Sequence, residues 1–332
     1  MKKTLFVTSL CLAVFGGAIE LPPTSLNAQT PDRTPSIGQQ PTEGLSMPAT
    51  NSKSPQVELL NPGAEPRQQL RLKPAINVKE TSVMILTMEM GISTPDRTVP
   101  ATKVPGTALT FETQVTKIDA NGDIHYEFAY TNADVTGDTG NIPPAAIDSM
   151  RSTLKTLVGI KGSFIADDRG FYKGGNFTLP EGGDRNLNQM LLQMSRSLEQ
   201  MSSPLPAEAV GKGAQWRVIS EPNFMGMNVK NIATYELTGW ENNNVSLNVT
   251  IEQQANPQNL TSPQLPAGAT ATLKSLTARG QGQATIRLDK LLPSRSTSSI
   301  NSNSEMSVKV PNNSQEITFK SQLSMQMTLE SK

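Results

Sequence analysis

The sequence predicts a mainly β protein of the α+β class, in which one large curved antiparallel sheet or half-barrel carries two amphipathic helices. Three observations lead there. Apolar and polar residues alternate with period two over most of the chain after Pro74, the mark of half-buried strands. Two stretches switch to a period near 3.6. Turn formers punctuate the runs, with 24 Gly and 24 Pro among 332 residues. Strands that are apolar on one face, with helices among them, imply an antiparallel sheet whose apolar face the helices cover.

The chain opens Met1-Lys2-Lys3 and then runs apolar from Leu5 to Ile19 before Glu20 and Pro22-Pro23. A basic start, an apolar core of this length and a small-residue exit read as a secretory signal peptide over residues 1–28, cleaved after Ala28. The protein is therefore expected in the periplasm or outside the cell. Cys11 sits in mid-core behind Thr8-Ser9-Leu10, a poor lipidation motif, so a lipid anchor is not expected there. Membrane contact would need this segment to be retained or lipidated. Cleavage removes the lone cysteine and leaves 27 basic and 28 acidic residues. No disulfide is then available to the mature chain.

Residues 29–75 read as a disordered tether. From Pro22 to Pro74 the chain holds 10 of its 24 prolines, interleaved with polar residues, and its apolar residues show no period. Within it, Val57-Glu58-Leu59-Leu60 and Leu70-Arg71-Leu72 have the pattern of an arm that adds to an exposed sheet edge.

Residues 76–332 read as a single β-rich domain. Strands are expected at 81–91 and at 109–115, the latter joined through Asn121-Gly122 to Ile124, Tyr126, Phe128 and Tyr130, since Asn-Gly between alternating runs is a strong hairpin signal. Ala166-Asp167-Asp168-Arg169-Gly170 reads as the tip of a hairpin between Phe164-Ile165 and Phe171-Tyr172. Further strands fall at 214–220, 235–237 and 245–251, with Asn242-Asn243-Asn244 as a turn, then at 270–278, 283–289, 295–300 and 304–310. The last strand is the clearest: Ile317, Phe319, Leu323, Met325, Met327 and Leu329 share one parity. Helices are expected at 144–158, after Pro143-Pro144, and at 184–202, where Leu187, Met190, Leu191, Met194, Leu198 and Met201 form one stripe.

The composition excludes much chemistry. One Cys and one His cannot supply a Cys/His zinc site, a Cys-His nucleophile pair or a two-His metal cluster. Balanced charge, 29 basic against 29 acidic residues, gives no electrostatic footprint for nucleic acid. His125 lies on the polar parity of its strand, so it faces solvent rather than serving as a catalytic base. Asp167 and Asp168 occupy a turn. Asp119-Ala-Asn121-Gly122-Asp123 lacks the spacing of a calcium loop. Gly174-Gly175, Gly182-Gly183 and Gly280-Gln-Gly282 lack the companions of nucleotide-binding motifs and read as turns or bulges. Neither a metal nor a cofactor is expected.

Methionine remains. The chain has 14, and Met84, Met88 and Met90 share one strand parity, Met190 and Met194 one helix stripe, and Met325 and Met327 the last strand. Met fills irregular gaps and lines adaptable apolar surfaces. The candidate lining of an apolar cavity between sheet and helices is Met84, Met88, Met190, Met194, Leu198, Met325 and Met327.

Leu205-Pro206-Ala-Glu-Ala-Val210-Gly211-Lys-Gly213-Ala214-Gln-Trp216 resembles a segment of uncharacterised exported bacterial proteins and lipoproteins. Ala278-Arg-Gly-Gln-Gly-Gln-Ala-Thr-Ile-Arg-Leu-Asp289, leading to Leu292-Pro-Ser-Arg295, is similar to a late hairpin of that family. The likeness spans residues 76–332 and implies no catalytic or binding residues, because the family has no established activity. A looser likeness is to half-barrel carriers of lipids and lipoproteins in bacterial envelopes, an analogy of fold. The expected function is noncatalytic: an exported envelope protein that binds a lipid or apolar small molecule. The alternatives are an assembly module that binds other envelope proteins, and a hydrolase that works with carboxylates.

Overall fold

The computed structural model describes residues 54–139, 142–178, 204–224, 227–260, 269–309 and 316–332. Seventeen strands and one helix follow in chain order: β1 (Gln56–Asn61), β2 (Gln68–Gln69), β3 (Lys79–Thr94), β4 (Arg97–Ile118), β5 (Ile124–Thr136), α1 (Pro144–Lys155), β6 (Lys161–Ala166), β7 (Tyr172–Thr178), β8 (Ala209–Val210), β9 (Gln215–Ser220), β10 (Asn223–Phe224), β11 (Met227–Asn228), β12 (Lys230–Glu241), β13 (Asn244–Ala255), β14 (Gln258–Leu260), β15 (Thr270–Arg287), β16 (Arg295–Lys309) and β17 (Glu316–Ser331). The protein is mainly β. One antiparallel sheet of 13 strands runs in the order β1-β9-β12-β13-β15-β16-β17-β3-β4-β5-β6-β7, with β14 beside β15. Among the described residues the sheet is not closed, and β1 and β7 stand at its two edges.

Most of the strand pattern lies where period two places it. The hairpins at Asn121-Gly122 and Asn242-Asn243 form, and Gly122 and Asn242 take the positive φ such turns need, 86° and 54°. The β4 strand runs well beyond its expected start, because Pro100 and Pro105 hide its first half. Residues 97–105 pair only with β3, and β5 joins β4 from Gly106 onward. Proline, which has no N–H to donate, is tolerated on such a one-sided stretch.

Glycine misled in a related way. Gly280 and Gly282 do not make a turn between two strands; they lie inside the unbroken β15, and Gly174-Gly175 lie inside β7. A Cβ on Gly280 would come within 2.6 Å of the Ser299 carbonyl oxygen, and one on Gly282 would meet that of Thr297 more closely still. The glycines are there because β16 approaches too closely for any side chain. The strand expected to break between 300 and 304 is likewise continuous as β16.

The helix at 144–158 forms as α1, with Pro144 at its first turn, and ends at Lys155. Ile147 is its buried residue, and Arg151 Nε donates to Asp134 Oδ1 of β5 at 3.1 Å. The second expected helix, 184–202, lies outside the described residues, as do the expected signal segment and the first part of the tether. Among the described residues, no helix is long and apolar enough to cross a membrane.

Residues 54–75 correct the expected tether. Val57 and Leu59 of β1 pair opposite Val218 and Trp216 of β9, so the arm adds to the edge of its own sheet. Residues 62–73 then cross one end of the sheet together with residues 204–214. Gly211 N donates to Pro62 O, Ala64 N to Lys212 O, Leu72 N to Asp168 O, Lys73 N to Leu288 O and Leu205 N to Arg169 O. Arg71 donates to the carbonyls of Pro206 and Ala207 at 3.0 and 2.8 Å. Leu70, Val210 and Ala214 of this plug are fully buried against Trp216 and Leu237, themselves fully buried, and Trp216 stacks on Tyr235 at 5.5 Å. The sparse apolar residues of a proline-rich stretch are enough here because the sheet end supplies the other half of the core.

Two more clusters complete the interior. Leu273, Leu276, Met306, Val308 and Phe319 gather at the opposite end of the same face, covered by Met227, Val229 and Leu260. Phe164 and Phe177 meet Tyr126 and Phe128 near the β7 edge.

The plugged end also carries the charged turns. Asp119 accepts from His125 Nε2 at 2.6 Å and pairs with Lys117 at 2.6 Å, while Asp123 binds Lys173 at 2.5 Å. The Lys117 bond, then the His125 bond, holds the Asp119 carboxyl below its ordinary value, and Lys173 does the same for Asp123. A carboxyl lowered in the folded state adds stability above its unfolded value, and that stability is lost as pH falls through the folded one.

Two outcomes follow. Trp216→Ala will cost about 3–5 kcal/mol, measured by urea unfolding. The melting temperature of the wild type will fall as pH drops below the ordinary carboxyl value of 3.8, and Asp119→Asn will flatten that fall; equal slopes for both proteins would refute the role given to Asp119.

Candidate functional site

The middle of the apolar face lies between the two end clusters. In an antiparallel pair, residues directly opposite each other share a face. Met88 lies opposite Met325, Leu86 opposite Met327, Met84 opposite Leu329 and Met90 opposite Leu323. Next to β17, Ile300, Ser298 and Ser296 of β16 lie opposite Met325, Met327 and Leu329. Beyond them β15 contributes Gly280, Gly282 and Ala284. The result is a ridge of methionine and leucine beside a trough of glycine, alanine and serine.

Every large side chain of this ridge is half-buried rather than buried. From Met84 to Met90 the ridge is about 20 Å long at 3.3–3.4 Å per residue, and the four strands β3, β17, β16 and β15, spaced about 4.8 Å apart, give a width of roughly 15–19 Å. An open apolar area of this size is more than isolated surface hydrophobics supply.

Its ends are defined by polar pairs. Toward the plug, Ser82 and Ser331 share a hydrogen bond of 2.7 Å between hydroxyls, and Glu80, 4% exposed, accepts from Leu291 N at 3.3 Å. Toward the other end, the Ser304 and Ser321 hydroxyls are 2.7 Å apart and buried. Each group is satisfied internally, so neither pair draws water onto the apolar strip between them.

Of the candidate lining residues, Met84, Met88, Met325 and Met327 come together on this strip. Met190, Met194 and Leu198 lie outside the described residues. Leu86 and Leu329 belong to the strip as well and are legible from parity. Ile300 and the Gly280–Gly282 trough are not, because their place depends on which strands pair.

The groups with chemical potential are tied up in structure. Asp167 Oδ1 accepts from Arg169 N and Phe171 N, both at 2.9 Å, and so holds its own turn, while Asp168 faces Arg71 at 3.5 Å. His125 stands on the polar face as expected, but its bond to Asp119 was not legible from the chain. It borders a groove of about 340 Å³ with Glu127, Ser163 and Asn176. Burial, then the neighbouring Tyr172, raises the Tyr126 hydroxyl far above its ordinary value. Among the described residues no group of three or more His, Cys, Asp and Glu is placed to hold a metal.

Comparison with solved structures gives the outer membrane protease OmpT from Escherichia coli, at 9% identity over 76% of this chain and 96% of that one. Its TM-score of 0.19 carries no argument about fold or activity. No curated protein matches the chain. A family model does match, and both resembling segments, 205–216 and 278–289, fall within its span. Residues 192–291 carry a domain of a family of unknown function, DUF6263, in accord with the uncharacterised domain family that the sequence resembles.

Proposed function

We propose that this is an exported, noncatalytic envelope protein that holds the acyl chain of a lipid against the apolar face of a curved half-barrel. The observation that carries the proposal is the half-exposed strip of Met84, Leu86, Met88, Met325, Met327 and Leu329 between two closed clusters. In a sheet whose apolar face served only as core, the centre would be its best-buried part. Here burial is highest at the two ends.

The chemistry of the strip fits an acyl chain. Its roughly 20 Å length along the strands suits a long extended hydrocarbon, and unbranched, polarizable methionine adapts to a ligand of no fixed shape. The curvature of the sheet is supported by the plug, which bonds the β6–β7 hairpin tip at Asp168 and the end of β15 at Leu288 through neighbouring residues, Leu72 and Lys73. It is supported also by the close approach of β15 and β16 at Gly280 and Gly282. The competing idea of a free N-terminal arm loses ground, since Val57–Leu60 already pairs with β9 of its own chain.

A fluorescent fatty acid, dansyl-undecanoate, will bind the purified chain, and Met88→Lys or Met325→Lys will weaken it at least tenfold, about 1.4 kcal/mol. Titration by fluorescence reads the affinity, with circular dichroism as the check on folding. Equal affinity in wild type and both variants would end the proposal.

A further inference from the structure

The opposite face of the same strands carries a second groove, of about 640 Å³, over β13, β15, β16 and β17. The register builds it as two rows. In one, Glu236, Asn248, Gln283, Thr297 and Thr328 succeed one another across five strands. In the other, Thr250, Gln281, Ser299 and Gln326 do so across four. Short hydroxyl side chains on β16 form the floor, and longer amides on β15 and β17 form the walls.

Two properties set this groove apart from an ordinary solvated sheet face. Such faces are usually dotted with Lys and Glu, yet Glu236 is the only ionisable residue among the thirteen that line it. Its polar groups are also free to bind. Gln283 Nε2 donates to Asn248 Oδ1 at 3.4 Å, but Gln281, Gln326, Thr297 and Thr328 make no side-chain hydrogen bond to another described residue. Each amide offers both a donor and an acceptor, as does each hydroxyl.

An apolar margin adjoins it. Ile85 lies opposite Thr328 and Val83 opposite Glu330, and both are exposed on this otherwise polar face, at 37% and 39%. The groove thus combines neutral two-way hydrogen bonding with two exposed aliphatic side chains, and the Arg295–Glu330 pair stands just beyond Thr297 and Thr328. A sugar ring presents the same combination, with hydroxyls that donate and accept at its edge and C–H groups on its face. A charged ligand would find no counter-charge in the floor, and an apolar one would leave the amides unpaired at a cost.

We propose that this face binds a neutral oligosaccharide strand laid across β13 to β17, independently of the acyl-chain strip on the other side. The test is ligand-observed saturation-transfer NMR on the purified chain with chitohexaose, cellohexaose and maltohexaose, and a heparin hexasaccharide as the charged counterpart. At least one neutral hexasaccharide will bind in the millimolar range or tighter, while heparin will not. Thr297→Lys, which puts a long charged side chain into the floor, will weaken binding at least tenfold, and Asp148→Asn on α1 will leave it unchanged. If circular dichroism shows that Thr297→Lys does not fold, the double variant Gln283→Ala/Gln326→Ala must give the loss instead. The proposal is overturned if no neutral hexasaccharide binds, if heparin binds better, or if binding survives the groove variants.

Discussion

Among the described residues, twelve strands in a row leave two edges and an apolar face too wide for α1 alone to cover. What makes such a sheet a stable interior at one end is the backbone plug of residues 62–73 and 204–214. Its bonds from Leu72 to Asp168 and from Lys73 to Leu288 join strands that are far apart in sheet order. They also bury Leu70 against Trp216 and Val210. Chain-distant backbone bonds of this kind carry a high ordering cost, which the burial of the mostly aliphatic cluster around Leu70, Trp216 and Leu237 offsets. Close packing within the plug depends on glycine: Gly63 takes φ 77°, and a Cβ on Gly211 would collide with the Ala64 carbonyl.

The uneven burial of the apolar face follows from that arrangement. The plug covers one end, and the loop carrying Met227 and Val229, with β14, covers the other. Between them the residues of β3 and β17 stay half-exposed, and apart from Ile300 the neighbouring stretches of β15 and β16 are reduced to glycine, alanine and serine. Small residues on one flank and flexible methionines on the other leave room without leaving unsatisfied polar groups. The hydroxyl pairs Ser82–Ser331 and Ser304–Ser321 mark where the strip stops.

The two faces of the central strands therefore differ in chemistry as well as polarity. One is aliphatic and sulfur-rich, while the groove on the other is amide-rich and has Glu236 as the one ionisable residue of its lining. Charges tie hairpin tips together, as Lys117, Asp119, His125, Asp123 and Lys173 do, and pair across strands beyond the groove, as in Arg295–Glu330, Lys320–Glu305 and Lys274–Glu316. Such exposed pairs add little to stability individually.

Period two in the sequence determined that the chain is mainly β, which residues of each strand share a face, and where the Asn-Gly and Asn-Asn hairpins turn. It also picked out Met84, Met88, Met325 and Met327, because parity is a local property that a single strand displays. What the tertiary structure decided was pairing. That Met88 sits beside Met325, more than two hundred residues away in the chain, depends on strand order, which alternation does not encode. The same holds for Val57–Leu60: its parity was visible, but only the vacant edge of β9 could turn a proline-rich arm into a strand. Glycine and proline misled for one physical reason. Each breaks local patterns, yet Gly280 and Gly282 sit where a neighbouring backbone excludes a side chain, and Pro100 and Pro105 where no neighbour needs an N–H. Both conditions are set by what lies across the sheet.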